Sequence, residues 1–415
     1  MRACCLLVRT YRELFGVAEF RTVFGVQCLT MAAAAVGSLA LGTITYAATG
    51  NAVLSGLAMF GGPLLRVIAS WFLLSASDLL RPRQALLLIA GATGVADGLQ
   101  AIPGLPSGAR FVILALPWVV MSATGGAIQA LVADILPDGS YVFGRATLNI
   151  AIGGMQVVGY GLGGLLLVAL DTSELFLVAA GASALALLLV AVGIGDHPPR
   201  STAASVVRRA RQVNVSLLRS PLVRPVYLAG WIPNGLVVGC ESLFVPLAGG
   251  RAGYLFAATA AGMLLGDVLV GRFVPARIRD RLVEPLRFLL AAPYLLFLLR
   301  PALPVGLVLG FVASVGYAAS LPLQDRLVRN TEQQIRGQVL GLNSTGMMAM
   351  QAIGALVAGL LAQSFGGGTA AAATAVGLVG CASLATTALL VPGLRRSRLL
   401  AAAERPAPVA APSDT

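Results

Sequence analysis

Twelve runs of mostly apolar residues, each close to the length an α-helix needs to cross a bilayer and each ended by Arg, Pro or Asp, follow one another along this chain. A spanning helix takes about 20 such residues, because a rise of about 1.5 Å per residue must cover a hydrocarbon core of roughly 30 Å. The runs cover 22–48, 52–77, 84–102, 109–133, 145–170 and 174–195, then 226–248, 252–273, 286–300, 303–324, 338–364 and 369–392. Of the 415 residues, 57% are hydrophobic and 11% charged, whereas a soluble domain carries about 25% charged residues. No water-soluble fold hides that much apolar surface. The expected fold class is an all-α membrane protein with twelve transmembrane helices in two pseudo-symmetric six-helix bundles.

The basic residues are all arginine, 29 of them against 17 acids. A nucleic-acid binder would gather such charge on a solvated face, but here it sits in the short breaks between apolar runs, so no nucleic-acid partner is expected. Basic residues near span ends stay on the cytoplasmic side. With both termini placed there, all but four of the arginines lie on that side; Arg110, Arg251 and Arg300 fall in outer loops and Arg66 lies inside a span. The expected location is therefore the cytoplasmic (inner) membrane, multi-pass, with both termini cytoplasmic. Residues 1–20 are too charged for a cleaved signal peptide. The five cysteines have no paired spacing and His197 is the single histidine, so neither a disulfide framework, a metal site nor a cofactor is expected. No nucleophile, metal-hydrolase or phosphate-loop motif occurs, so the chain does not read as an enzyme or an ATP-driven pump.

The chain divides near its middle. A cytoplasmic segment over 1–21 leads into a six-helix half over 22–195, a basic linker over 196–225, a second six-helix half over 226–393 and a tail over 394–415 that is Ala- and Pro-rich and expected to be disordered. The halves repeat one another. Asp78 and Arg83 recur as Asp267 and Arg272, each pair at the cytoplasmic end of the second helix of its half. Asp134 and Arg145 recur as Asp325 and Arg336, bridging fourth and fifth helices. Met155-Gln156-x-x-Gly159-x4-Gly164 recurs as Met350-Gln351-x-x-Gly354-x4-Gly359. Two parallel six-helix repeats with sites at their interface form a known transporter architecture.

At these residues the chain resembles the major facilitator superfamily, and within it the twelve-helix drug:proton antiporter and siderophore-exporter branches, over roughly residues 20–393. The family's signature between helices two and three is Gly-x-x-x-Asp-Arg-x-Gly-Arg-Arg, which holds the cytoplasmic ends of the halves together. Asp78 and Arg83 match it, while Leu74, Leu79 and Arg81-Pro82 depart from it; the pattern partly recurs at Asp267, Gly271 and Arg272. The antiporter branch is similar to Gly-Pro-x-x-Gly-Gly in helix five. Here Gly159-Tyr160-Gly161-Leu162-Gly163-Gly164 keeps the glycines and replaces the proline. The resemblance implies export; close helix packing is the other use of Gly159, Gly163 and Gly164.

An ionisable side chain at membrane depth is a functional candidate, since burying it costs at least about 2.5 kcal/mol on insertion scales. Arg66, Asp97 and Glu241 are the deep ones. Asn234 and Glu241, seven residues apart, project from nearly one helix face, with Trp231 a turn earlier. In the resembled family, helices one, four, seven and ten line the cavity; a carboxyl there gains and loses a proton as access alternates, and the plainer use of Glu241 is snorkelling to headgroups. Arg66 and Asp97 either neutralise one another between helices or form a site for an acidic substrate group and a proton. Polar stripes mark the remaining cavity candidates: Gln27, Thr30, Ser38 and Thr45 in span one, Trp118, Ser122 and Gln129 in span four, Asn149, Gln156 and Tyr160 in span five, Ser314 and Tyr317 in span ten. Spans six and nine look like unadorned scaffold helices.

The function expected is secondary active transport of a small organic molecule, most simply as a proton-coupled exporter working by alternating access. A solute or organic-anion importer of the same fold and a non-transporting membrane receptor are the alternatives. The partners expected are a small-molecule substrate, protons and the lipid bilayer, with the protein acting as a monomer.

Overall fold

The computed structural model describes residues 11–62, 64–65, 81–136, 141–197, 204–332 and 335–403. Arg66 and Asp78 lie outside these residues, as do the side chains of Gln129 and Arg145. Among the described residues no strand occurs. The helices of the first half are α1 (Ala18–Thr49), α2 (Ala52–Phe60), α3 (Pro82–Gln100), α4 (Ser107–Ile135), α5 (Tyr141–Ala169) and α6 (Thr172–Gly193). A linker helix, Ala204–Arg219, follows. The second half has α7 (Arg224–Ser242, resumed over Phe244–Ala248), α8 (Ala252–Val268), α9 (Ala276–Leu295), α10 (Leu303–Val315, resumed over Ser320–Arg329), α11 (Arg336–Ser364) and α12 (Gly368–Ala403). Seven described helical segments are long and apolar enough to cross a membrane, and one of these, Arg224–Phe273, contains both α7 and α8.

Local chemistry sets the helix ends. The α2 N-terminus is capped by Asn51, whose Oδ1 accepts from the N–H groups of Val53 and Leu54 at 2.9 and 3.2 Å. Asp171 and Glu174 form a reciprocal capping box at the start of α6. Gly50 ends α1 in the left-handed region (φ 63°), its N–H returning to the Tyr46 carbonyl. Between these caps the outer faces are apolar: Leu188, Val192, Leu299, Val308 and Leu389 are all more than half exposed, as side chains facing lipid are.

The two halves use the same packing plan. Helix α1 lies along α5 and α6, and α7 lies along α11 and α12; α3 with α4 and α6 is matched by α9 with α10 and α12. Between halves, α5 meets α8 and α2 meets α11. The repeated glycines explain why these four helices come so close. In the first half a Cβ on Gly159 would stand 2.6 Å from Ala35 Cβ on α1, and one on Gly164 would stand 2.6 Å from the Gly253 carbonyl oxygen on α8. In the second half Gly354 is pressed against the Gly235 backbone on α7, and a Cβ on Gly359 would stand 2.7 Å from Val53 Cα on α2. The first glycine of each motif thus seats its helix on the lead helix of its own half, and the second seats it on the other half. Where lipid removes any hydrophobic drive for association, such close backbone contact supplies it.

Buried clusters show where the halves touch. One core joins Leu39, Met59 and Phe60 of the first half to Val238, Phe244 and Phe256 of the second. It lies toward the end of the bundle opposite the linker, where Gln363 Nε2 also donates to the Gly50 carbonyl at 3.4 Å. At the linker end the cores are separate, one around Phe20, Leu86 and Leu131 in the first half and one around Tyr227, Val283 and Leu327 in the second.

Several expectations are revised. Helix α9 begins at Ala276, after Pro275, and not near 286, and α12 continues to Ala403, so the first residues assigned to a disordered tail are helical. Span seven is broken at Leu243. The cause is Pro246, which lacks an N–H and crowds the carbonyl four residues before it.

Candidate functional site

Glu241 occupies the last turn of α7 before the break and keeps 7% of its surface accessible. Its Oε1 accepts from the phenol of Tyr294 on α9 at 3.3 Å and from that of Tyr317, in the 3-10 turn of α10, at 3.2 Å. Both donors use one oxygen.

The other half reaches the same place. Tyr160 of α5 packs against the same buried cluster as Tyr294 and Tyr317, and its hydroxyl shares a hydrogen bond with Ser38 of α1 at 3.2 Å. The Tyr160 ring stands 5.8 Å from that of Phe60 on α2 and 6.2 Å from that of Phe256 on α8, which in turn meets Phe244 at 5.2 Å. The two phenols that hold Glu241 thus belong to one buried cluster with an aromatic seam built from both halves.

Toward the linker, α7 carries a second polar group. Arg287 of α9 is 3% exposed; its Nη2 donates to the Gly230 carbonyl at 3.4 Å and its Nε has no partner among the described residues. Trp231 donates from Nε1 to the backbone and side-chain oxygens of Asn343 on α11 at 3.0 and 3.2 Å, and stacks on Tyr227 at 4.8 Å. Asn234, 3% exposed, has an unpartnered Nδ2. Donors without acceptors are what an anionic or carbonyl-bearing solute would satisfy.

Asp97 is placed differently. It is 9% exposed and faces α1, where the absence of a side chain on Gly37 makes room: a Cβ there would lie 2.8 Å from Asp97 Oδ1. Among the described residues Asp97 Oδ2 has no hydrogen-bond partner. Gln27 on α1, Trp118 on α4 and Gln156 on α5 are half-buried, with Trp118 held against Gly62. The repeated charges near the linker end bond within their own halves. Arg83 donates to the Ala191 carbonyl at 2.7 Å, Asp325 pairs with Arg329 at 2.9 Å, and Arg336 donates to the Val328 carbonyl at 3.1 Å. Asp325 and Arg336 thus do not bridge to one another. Asp134, Asp267 and Arg272 are exposed.

The chief correction concerns span nine. It is no plain scaffold helix, since it carries Arg287 and Tyr294, and Arg287 is buried where the arginine count placed it in the cytoplasmic segment. The signal was present: Pro275 is a helix start, which puts Arg287 some three turns into the helix. Arg110, assigned to an outer loop, is also buried, and bonds the Gln100 carbonyl and side chain at 2.8 and 3.1 Å. Nothing local in the sequence pairs Glu241 with Tyr294 or Trp231 with Asn343.

No family model and no curated protein matches the chain by sequence. Solved structures do. A POT family transporter in complex with 5-aminolevulinic acid superposes with a TM-score of 0.67 at 13% identity, over 91% of this chain and 96% of that one. A structure described under substrate recognition in proton dependent oligopeptide transporters gives 0.66 at 12%, over 92% and 99%. A bacterial homolog of the human lysosomal transporter Spinster, inward-facing and occupied, gives 0.62 at 12%, over 96% and 99%. At such identities the likeness is one of fold, and the fold of this chain is that of the major facilitator transporters.

Proposed function

We propose that this protein is a proton-coupled secondary transporter of a small organic molecule, working by alternating access, with Glu241 as the proton-carrying group. The observation that carries this reading is the position of Glu241: a buried carboxyl held by two phenols of its own half, Tyr294 and Tyr317, that share one buried cluster with Tyr160 of the other half, at the seam that must part when access changes. With the linker in the cytoplasm, the buried core that joins the halves lies at the outer end and each half keeps its own core at the inner end. Opening the seam would move Tyr160, Phe60 and Phe256 away and admit water to Glu241. A hydrated carboxyl favours the charged form and a dry one the neutral form, so a proton taken up on one side is released on the other. The likeness to transporters described as proton dependent supports the coupling.

The antiporter-like glycines of α5 favour export, although each of Gly159, Gly163 and Gly164 has a packing contact that accounts for it. A second reading, uptake of a zwitterionic or acidic solute, draws on the unpartnered donors of Arg287 and Asn234 and on the likeness to a transporter solved with 5-aminolevulinic acid. One assay addresses both. Flux of labelled solutes is measured in sealed proteoliposomes with the pH gradient imposed in either sense. Transport driven by the gradient and lost in Glu241→Gln supports the proposal, and the sense of the gradient that drives it reads the direction. Flux indifferent to the gradient overturns the coupling.

A further inference from the structure

At the end of the bundle opposite the linker, a cavity of about 310 Å³ opens among the turns of the second half. Its walls are Leu255 of α8, Phe297 of the 3-10 turn that follows α9 (Leu296–Leu299) and Leu303 of α10, and Arg251, Arg300 and Thr369 also line it. Arg251 and Arg300 are exposed. They are two of the three arginines that the topology leaves outside, the third being Arg110, already consumed by its bonds to Gln100. No described acidic residue pairs with either, so two free guanidinium groups converge on one apolar hollow.

The backbone adds to the field. Helix α12 begins at Gly368 and helix α10 at Leu303, and both first turns line the cavity. The first-turn N–H groups of a helix have no intrahelical acceptor and carry its positive end. Arg300 also has the single non-glycine positive φ among the described residues, 51°, in closing the 3-10 turn that follows α9. That capping position is ordinarily glycine. An arginine held there against its backbone preference places a charge at the cavity at some conformational cost.

We infer that this cavity binds the headgroup of an anionic phospholipid from the leaflet facing this end of the bundle, the phosphodiester lying between Arg251 and Arg300 near the Thr369 hydroxyl. A lipid is favoured over a soluble anion because the elements that wall the cavity carry lipid-facing side chains at the same level: Leu296, Leu299 and Val305 are 47%, 77% and 51% exposed. Tyr254, one turn after Arg251, is 42% exposed, as an interfacial aromatic would be. The site is separate from Glu241 and does not depend on transport.

The full-length protein in detergent is titrated with phosphatidylglycerol, phosphatidylcholine or free glycerol 3-phosphate and followed by native mass spectrometry. Phosphatidylglycerol should be retained in preference to phosphatidylcholine. The double variant R251Q/R300Q should retain one phosphatidylglycerol fewer, with roughly thirtyfold weaker binding at that site. Thr369→Trp, which keeps both arginines but fills the hollow, should lose the same lipid. Unchanged retention in both variants overturns the proposal, as does glycerol 3-phosphate displacing the lipid at equal concentration, which would make this a site for soluble anions.

Discussion

Two carboxyl groups lie deep in this bundle, one in each half, and the structure treats them oppositely. Glu241 has two phenol donors, sits where α7 breaks, and is held by phenols that share a buried cluster with Tyr160 of the other half. Among the described residues Asp97 has no hydrogen-bond partner on Oδ2, and the residue it crowds, Gly37 on α1, belongs to its own half. Burial alone therefore does not make a coupling site. A group that must report which way the protein faces has to sit where the two halves separate, and its charged form needs donors that a rearrangement can withdraw. Asp97 would travel inside one rigid body and sense little.

The contrast can be broken experimentally. The largest effect expected is from Glu241→Gln, which keeps the shape and removes the proton: gradient-driven flux in proteoliposomes should fall about 100-fold or more, the lower range for a lost proton-transfer group, while solute exchange without a gradient persists. Loss of both activities alike would make Glu241 a structural residue. Replacing both phenols, Tyr294→Phe with Tyr317→Phe, should reduce coupled flux roughly tenfold, since each hydrogen bond to a charged group contributes about 1.5–3 kcal/mol and part is recovered by water. An unchanged pH profile of flux in that double variant would show that the donors do not tune Glu241.

On the other side of the comparison, Gly37→Ala should lower the unfolding midpoint in detergent, by a destabilisation of about 1–3 kcal/mol, because its Cβ would meet Asp97 Oδ1 at 2.8 Å. Combining it with Asp97→Ala should recover most of the loss; absence of recovery would mean the contact is not the cause. The smallest effect is expected from Asp97→Asn, with flux and its gradient dependence within about twofold of wild type, as removing a group that takes no part in proton transfer leaves that step intact. Abolished coupling in this variant would erase the distinction between the halves.

The fold was legible because its signals are local and repeated. Apolar runs of bilayer length, arginines at their ends and a glycine motif occurring twice all survive being read one window at a time. The structure then gives the repeat a mechanical meaning that spacing alone did not carry: Gly159 and Gly354 bind the lead helix of each half, and Gly164 and Gly359 bind the opposite half. The site was legible in part. Glu241, Asn234, Trp231 and Tyr317 stood out as polar residues in cavity-lining spans, but Arg287 was read as an end-of-span charge, because hydropathy locates the apolar stretch and not the helix start at Ala276. Tyr294 drew no notice, as a tyrosine in an apolar run is common at the membrane interface.

By itself, then, the sequence determined that the chain lives in lipid, how many times it crosses and how its halves correspond, since the transfer of each segment from water to hydrocarbon depends on that segment's own residues. Only the tertiary structure decided which carboxyl is solvated by phenols, which arginine is buried without an acid, and where two outer guanidinium groups meet a cavity. Those outcomes depend on residues dozens to hundreds of positions apart being brought together, and a buried charge has no character until its neighbours are known.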